Sequence, residues 1–79
     1  MYYVYILKSL NNNEKYIGYT EDLNNRLTDH NSGKSKHTSK YKPWKVIWYC
    51  AFEDKEHAIA FEKYLKSGSG KAFASKRLI

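Results

Sequence analysis

Tyr2-Tyr3-Val4-Tyr5-Ile6-Leu7-Lys8, then Ser9-Leu10-Asn11-Asn12-Asn13, then Lys15-Tyr16-Ile17-Gly18-Tyr19-Thr20: these first twenty residues decide the fold. Residues 2 to 8 alternate and are rich in Tyr, Val and Ile, which suit a pleated, half-buried strand. Three consecutive asparagines favour a turn, because their side chains bond to the neighbouring backbone and tolerate tight geometry. Residues 15 to 20 then return antiparallel. A turn centred near Asn11 sets Tyr5 opposite or diagonal to Tyr16, with both rings on one face. Gly18 ends the second strand, where the missing Cβ serves a bend or the close approach of a backbone or ligand.

Working outward, Thr20 is placed to cap a helix over residues 21 to 31, with Glu21 and Asp22 at its positive end and Gly33 at its close. Leu23 and Leu27 form its apolar stripe. Arg26 and His30, also four apart, run beside that stripe as a cationic pair at the rim. Pro43 favours an extended entry into Trp44 to Phe52, a third strand. Asp54 caps a second helix reaching Lys66, on which Ala58, Phe61 and Leu65 make one stripe flanked by Ile59. Glu62 falls on that buried side. Ser67-Gly68-Ser69-Gly70 breaks the helix, and Lys71 to Leu78 is expected to form a last short basic helix. The order β-β-α-β-α-α reads as α+β.

The chain has 79 residues, which suffice for one small domain over residues 1–79 and not for a second core, so a site must lie at the surface. Eight Tyr, two Trp and three Phe supply much buried area per residue, which helps so short a chain fold without staples. The single Cys50 excludes an internal disulfide, and His30, His37, His57 and Cys50 lack zinc spacing. No apolar run approaches the ~20 residues of a membrane span and no charged leader opens the chain, so the expected compartment is the cytoplasm.

Fourteen Lys and Arg against eight Asp and Glu give a net charge of +6, which suits nucleic acid as partner. Between Gly33 and Lys45 lie Lys34, Lys36, Lys40, Lys42 and Lys45, with His37, Tyr41 and Trp44 among them and no acid. That segment reads either as a solvated, mobile loop or as a surface that tracks phosphates. Gly68-Ser69-Gly70-Lys71 is not a phosphate loop: Leu65 stands where the first glycine belongs and Ala72 where a hydroxyl would hold magnesium.

Glu62 carries the most chemical weight, because an ionised carboxylate facing a core costs several kcal/mol unless it is paired or bound to a cation. A partner lysine, Arg26, an escape to water at the rim, or one hard cation such as Mg²⁺ would each compensate it. Tyr5 and Tyr16 are either packing residues or a base, and a phenol of reference pKa ≈ 10 needs a nearby cation to act as one. Arg26, one of two arginines, can grip phosphate through two parallel hydrogen bonds, and His30 can pass a proton or a hydrogen bond if it is more than an exposed bystander. Tyrosine, arginine, histidine and a helical carboxylate together meet the needs of phosphodiester hydrolysis.

In order, Tyr3-Val4-Tyr5, Tyr16-Ile17-Gly18, Arg26, His30 and Glu62 resemble the GIY-YIG nuclease superfamily over nearly the whole chain, most closely its small stand-alone bacterial members. Tyr3 replaces the first glycine of the motif, Tyr19 stands where some repair relatives have lysine, and no supporting asparagine follows Glu62. The resemblance implies a three-stranded antiparallel sheet flanked by helices. It also implies cleavage of DNA with one Mg²⁺ or Mn²⁺ ion on Glu62, in repair or recombination, with a protein partner for targeting. By that resemblance Tyr5 and Tyr16 supply the base, Tyr5 being favoured; Arg26 binds phosphate and His30 lies near the scissile bond. Lys34, Lys36, His37, Lys40, Lys42 and Lys45 would hold the nucleic-acid backbone. The rival is a non-catalytic nucleic-acid-binding module of the same fold, with Tyr41 or Trp44 stacking on unpaired bases.

Overall fold

A computed structural model describes all of residues 1–79. In chain order the elements are β1 (Tyr2–Ser9), β2 (Lys15–Thr20), α1 (Leu23–Ser32), α2 (Lys36–Ser39), β3 (Trp44–Phe52), α3 (Lys55–Lys66) and α4 (Gly68–Arg77). The strands form one antiparallel sheet in the order β2-β1-β3, flanked by the helices as the α+β reading requires. The one-turn α2 is an addition to the expected order. No helix is long and apolar enough to cross a membrane.

The first strand is not half-buried. It is the central strand, and Val4, Tyr5, Ile6 and Leu7 are each at most 1% exposed, because helices cover both faces of the sheet. Val4 and Ile6 pack with Ala58 and Leu65 of α3 and Ala74 of α4. Tyr5 and Leu7 point the other way and pack with Trp44, Leu23, Leu27 and Tyr41. Full burial of a side chain of this size stabilises by roughly 1.5–3 kcal/mol, so two cores this thin tolerate little loss from either. A bulge in β3 adjusts the two faces: the register passes from Ile6↔Trp48 to Leu7↔Val46, and the extra Ile47 joins Trp48 on the α3 side.

Two helix starts differ from the sequence reading. Thr20 does not cap α1, since its hydroxyl accepts a bond from the Asp22 N–H at 3.1 Å and closes a local turn. Asp22 is the cap instead, accepting from the Asn25 N–H at 3.1 Å, and Gly33 ends the helix in the left-handed region at φ 86° with its N–H on the Asp29 carbonyl. Likewise α4 begins at Gly68, not Lys71. Ser67 alone breaks the chain direction, and its hydroxyl at once caps the next helix by accepting from the Gly70 N–H at 3.1 Å. A Cβ on Gly70 would overlap the Tyr64 carbonyl, so glycine there lets α4 cross close over the end of α3.

The basic segment is not a loose loop. The Ser9 hydroxyl donates to the Tyr41 carbonyl at 2.6 Å, the Asn11 amide to the Lys42 carbonyl at 2.8 Å and the Leu10 N–H to the Pro43 carbonyl at 2.9 Å, tying the hairpin turn to it. From α1, the Asn31 side chain brackets both backbone groups of Trp44.

Candidate active site

Tyr5 and Tyr16 arrive together because the hairpin pairs Tyr5 with Gly18 and Leu7 with Tyr16, which makes the two tyrosines diagonal neighbours on one face. Their ring centroids lie 6.3 Å apart. Gly18 makes this possible: a Cβ at that position would overlap the Tyr5 hydroxyl and crowd the Tyr16 ring. Both readings offered for this glycine converge on one contact, made by the protein's own side chain.

α1 brings Arg26 and His30 onto the same ground, though not as a cationic pair at the rim. His30 is 0% exposed. The spacing Leu23, Leu27, His30 is itself an apolar stripe of four and three residues, and this signal was present in the sequence. The imidazole is held at both nitrogens, with Nε2 3.0 Å from the Tyr5 hydroxyl and Nδ1 2.6 Å from the Thr38 hydroxyl of α2. The Ser35 carbonyl, 3.4 Å from the Thr38 oxygen, offers an acceptor for the Thr38 proton, and with the proton there the hydroxyl oxygen accepts from Nδ1–H. Nε2 is then the lone-pair nitrogen, and Tyr5 O–H donates to it. Burial, followed by the charge of Arg26, lowers the His30 pKa and keeps the ring neutral.

Tyr5 is the complementary case. Burial pushes its pKa up to about 12, against the opposing influence of the adjacent Arg26 guanidinium; the Tyr16 phenol and the Glu62 carboxylate add to the rise. Tyr5 is therefore a neutral phenol at rest, hydrogen-bonded to a base. The Arg26 pKa is raised, first by its hydrogen bond to Tyr5. Its side chain is 38% exposed and makes only a loose 3.8 Å pair with Asp29, leaving donors free for an anion.

Glu62 is not in the core. Its side chain keeps 19% exposure, and Lys66, one turn on, pairs with it at 3.0 Å. Of the ways to compensate the acid, a counter-ion and a rim position are both realised. Its charge is the smallest of the influences that raise the Tyr5 pKa, and α3 itself packs on the Val4 and Ile6 face of the sheet. No three His, Cys, Asp or Glu side chains converge anywhere in the molecule. That donor set does not fit zinc, which takes three or four protein ligands, but it fits a hard cation held by one carboxylate, waters and a phosphate oxygen. Lys66, 50% exposed, is the solvent-facing member of this i,i+4 pair.

Lys34, Lys36, His37, Lys40 and Lys42 are exposed on and around α2, the element that also carries Thr38. Lys34 reaches Asp29 at 3.7 Å, and Lys40 lies 5.6 Å over the Tyr41 ring. Lys45 does not belong with them: it pairs across the sheet with Lys8, whose side chain shares the Val4 and Ile6 face. Trp44 is 4% exposed and its indole N–H donates to the Thr38 carbonyl at 2.8 Å, so it cannot stack on a base. Thr38 itself was missed, since a lone hydroxyl among lysines carries no periodic or motif signal.

The model of the GIY-YIG catalytic domain matches residues 1–76. A UPF0213 protein of Streptococcus pneumoniae serotype 4 is 43% identical over 81% of this chain and 65% of its own length. A UPF0213 protein of Streptococcus pyogenes serotype M3 is 37% identical over 81% of this chain and 70% of its own. The chain thus spans about two thirds of the relatives it matches. Among solved structures, the solution NMR structure of a UPF0213 protein from Bacillus halodurans superposes with a TM-score of 0.57 at 35% identity, covering 95% of this chain and 82% of that one.

Proposed function

Because the chain belongs to the GIY-YIG catalytic domain family, a family of nucleases, we propose that it is a divalent-metal-dependent endonuclease of the cytoplasm that hydrolyses phosphodiester bonds in DNA. The observation that carries the reading is the hydrogen bond between the Tyr5 hydroxyl and the buried His30, with the Arg26 guanidinium and the Tyr16 ring beside them.

Each side chain then has a task. Arg26 holds the scissile phosphate by its free N–H groups and stabilises the charge that builds on the equatorial oxygens. As water attacks phosphorus and the P–O bond to the leaving strand breaks, the water proton passes to the Tyr5 oxygen while the Tyr5 proton passes to His30 Nε2, and the departing oxygen takes a proton from solvent, so no free phenolate is needed. Thr38 fixes the imidazole in the tautomer that can accept. Tyr16, its ring 4.9 Å from that of His30, walls the site and orients the water. Mg²⁺ or Mn²⁺ on Glu62 would supply charge neutralisation at the phosphate and a more acidic water. Lys34, Lys36, His37, Lys40 and Lys42 hold the flanking backbone, contacts that give affinity without sequence choice; targeting in repair or recombination then falls to DNA structure or a protein partner.

The binding-module alternative has lost its Trp44 stacking ring to the core and keeps only the half-buried Tyr41. A cleavage assay on plasmid and oligonucleotide DNA with Mg²⁺ or Mn²⁺ tests the choice. Tyr5→Phe, Arg26→Ala and Glu62→Ala should each lower the rate by about 10²-fold or more. Equal rates in wild type and all three variants would remove the proposal.

A further inference from the structure

Lys15, Lys8 and Lys45 stand side by side across all three strands. The register sets Lys8 opposite Lys15 on one flank and opposite Lys45 on the other. Facing residues point to the same side of a sheet, and adjacent strands lie about 4.8 Å apart, so three ammonium stems rise in one line across the sheet. That side is the one carrying Val4 and Ile6, opposite to Tyr5. The three lysines line one groove of about 500 Å³ with Ile47, Ser75 and Ile79. Lys71 of α4 joins Lys15 in an adjoining groove, and Asn11, Asn12 and Asn13 join Lys8 and Lys45 in another. No acidic side chain lines any of these grooves.

None of the four ion pairs in the molecule includes Lys8, Lys15, Lys45 or Lys71. Like charges directly opposite one another destabilise a sheet, and this row places two such pairs in contact through Lys8. Folding alone therefore gives no reason to align them. A polyanion with regularly spaced charges does.

We propose that this row is a second phosphate-binding surface, which grips the nucleic-acid backbone flanking the cleaved segment from the sheet face opposite the tyrosines. Consecutive residues of edge strand β2 connect the two faces: Tyr16 belongs to the tyrosine site and Lys15 to the row. A strand leaving the site can thus pass round the β2 edge onto Lys15, Lys8 and Lys45. The inference rests on the nuclease reading only for which polymer is held.

The test is equilibrium binding of a fluorescein-labelled 30-nucleotide DNA strand in EDTA, across a salt series, so that cleavage plays no part. Lys15→Gln/Lys45→Gln should weaken binding about tenfold at moderate salt and lower the slope of log K against log salt by about 1.4, at ~0.7 per contact on a single strand. Lys55→Gln/Lys63→Gln removes the same charge from the exposed face of α3 and should leave the slope within error. Both pairs are exposed at the surface, and melting curves check that each variant is folded. If the two double variants weaken binding equally, net charge explains the affinity and the row is no site. If neither does, the row serves another partner, such as an acidic protein, and the proposal is overturned. A catalytically dead wild type would leave these outcomes unchanged.

Discussion

Thr38 decides which proton His30 carries, although it touches neither substrate nor Tyr5. Thr38 is 1% exposed and its hydroxyl is the partner of Nδ1. Thr38→Val keeps the volume and removes the acceptor, leaving a buried N–H without a partner at a cost of roughly 1–3 kcal/mol. In a domain this small, each kcal/mol corresponds to about 4–8 °C in Tm. The variant should melt lower and cleave at least tenfold more slowly, because the ring is then free to hold its proton on Nε2 and face Tyr5 with a donor. Thr38→Ser should restore both. Ring ¹⁵N shifts read the tautomer directly; an unchanged tautomer in the valine variant would remove Thr38 from the relay. Gly18→Ala is the companion test. The added Cβ meets the Tyr5 ring, so activity should fall by more than tenfold while Tyr5→Phe adds little further loss in the same background.

At the level of elements, the strands and α3 were legible because burial imposes period and the caps carry their own chemistry. Lys15 to Thr20, Trp44 to Phe52 and the Asp54 cap stand where the pattern sets them. The misread starts share one cause. Thr20 and Ser67 offer hydroxyls to the local backbone, and whether such a group closes a turn or caps a helix depends on the direction of the next element, which one sequence does not specify. Legible at the candidate site were the shared face of Tyr5 and Tyr16, the close approach at Gly18 and the place of Arg26 on α1; the burial of His30 was available from its stripe, and Thr38 was not. Asp22→Ala should therefore cost about 1 kcal/mol and loosen the first turn of α1, whereas Thr20→Ala should cost less. Amide hydrogen exchange at Asn25 and Arg26 measures this directly. Equal protection loss in the two variants would contradict the assignment of Asp22 as the cap.

For the whole molecule, the buried neutral histidine ties stability to pH. In the unfolded chain His30 titrates near 6.5, and in the folded chain its pKa is lower because burial and Arg26 disfavour the charged ring, with Asp29 pulling weakly the other way. Tyr5, Tyr16 and Thr38 complete its surroundings, and none offers a compensating negative charge at neutral pH. Below pH 6.5 the unfolded state therefore binds more protons than the native state, so stability is complete above that pH and declines as the solution is acidified toward the folded pKa. Cleavage should fail in the same direction, since a protonated Nε2 cannot take the proton of Tyr5. Melting temperature measured between pH 5 and 7.5 should drop on the acid side, with activity falling along a matching limb. Ring carbon shifts of His30 should show the neutral form persisting to lower pH than those of a free imidazole. A His30 that protonates at or above its ordinary pKa would break both links, because the same desolvation that makes the ring available to Tyr5 is what makes the fold sensitive to acid.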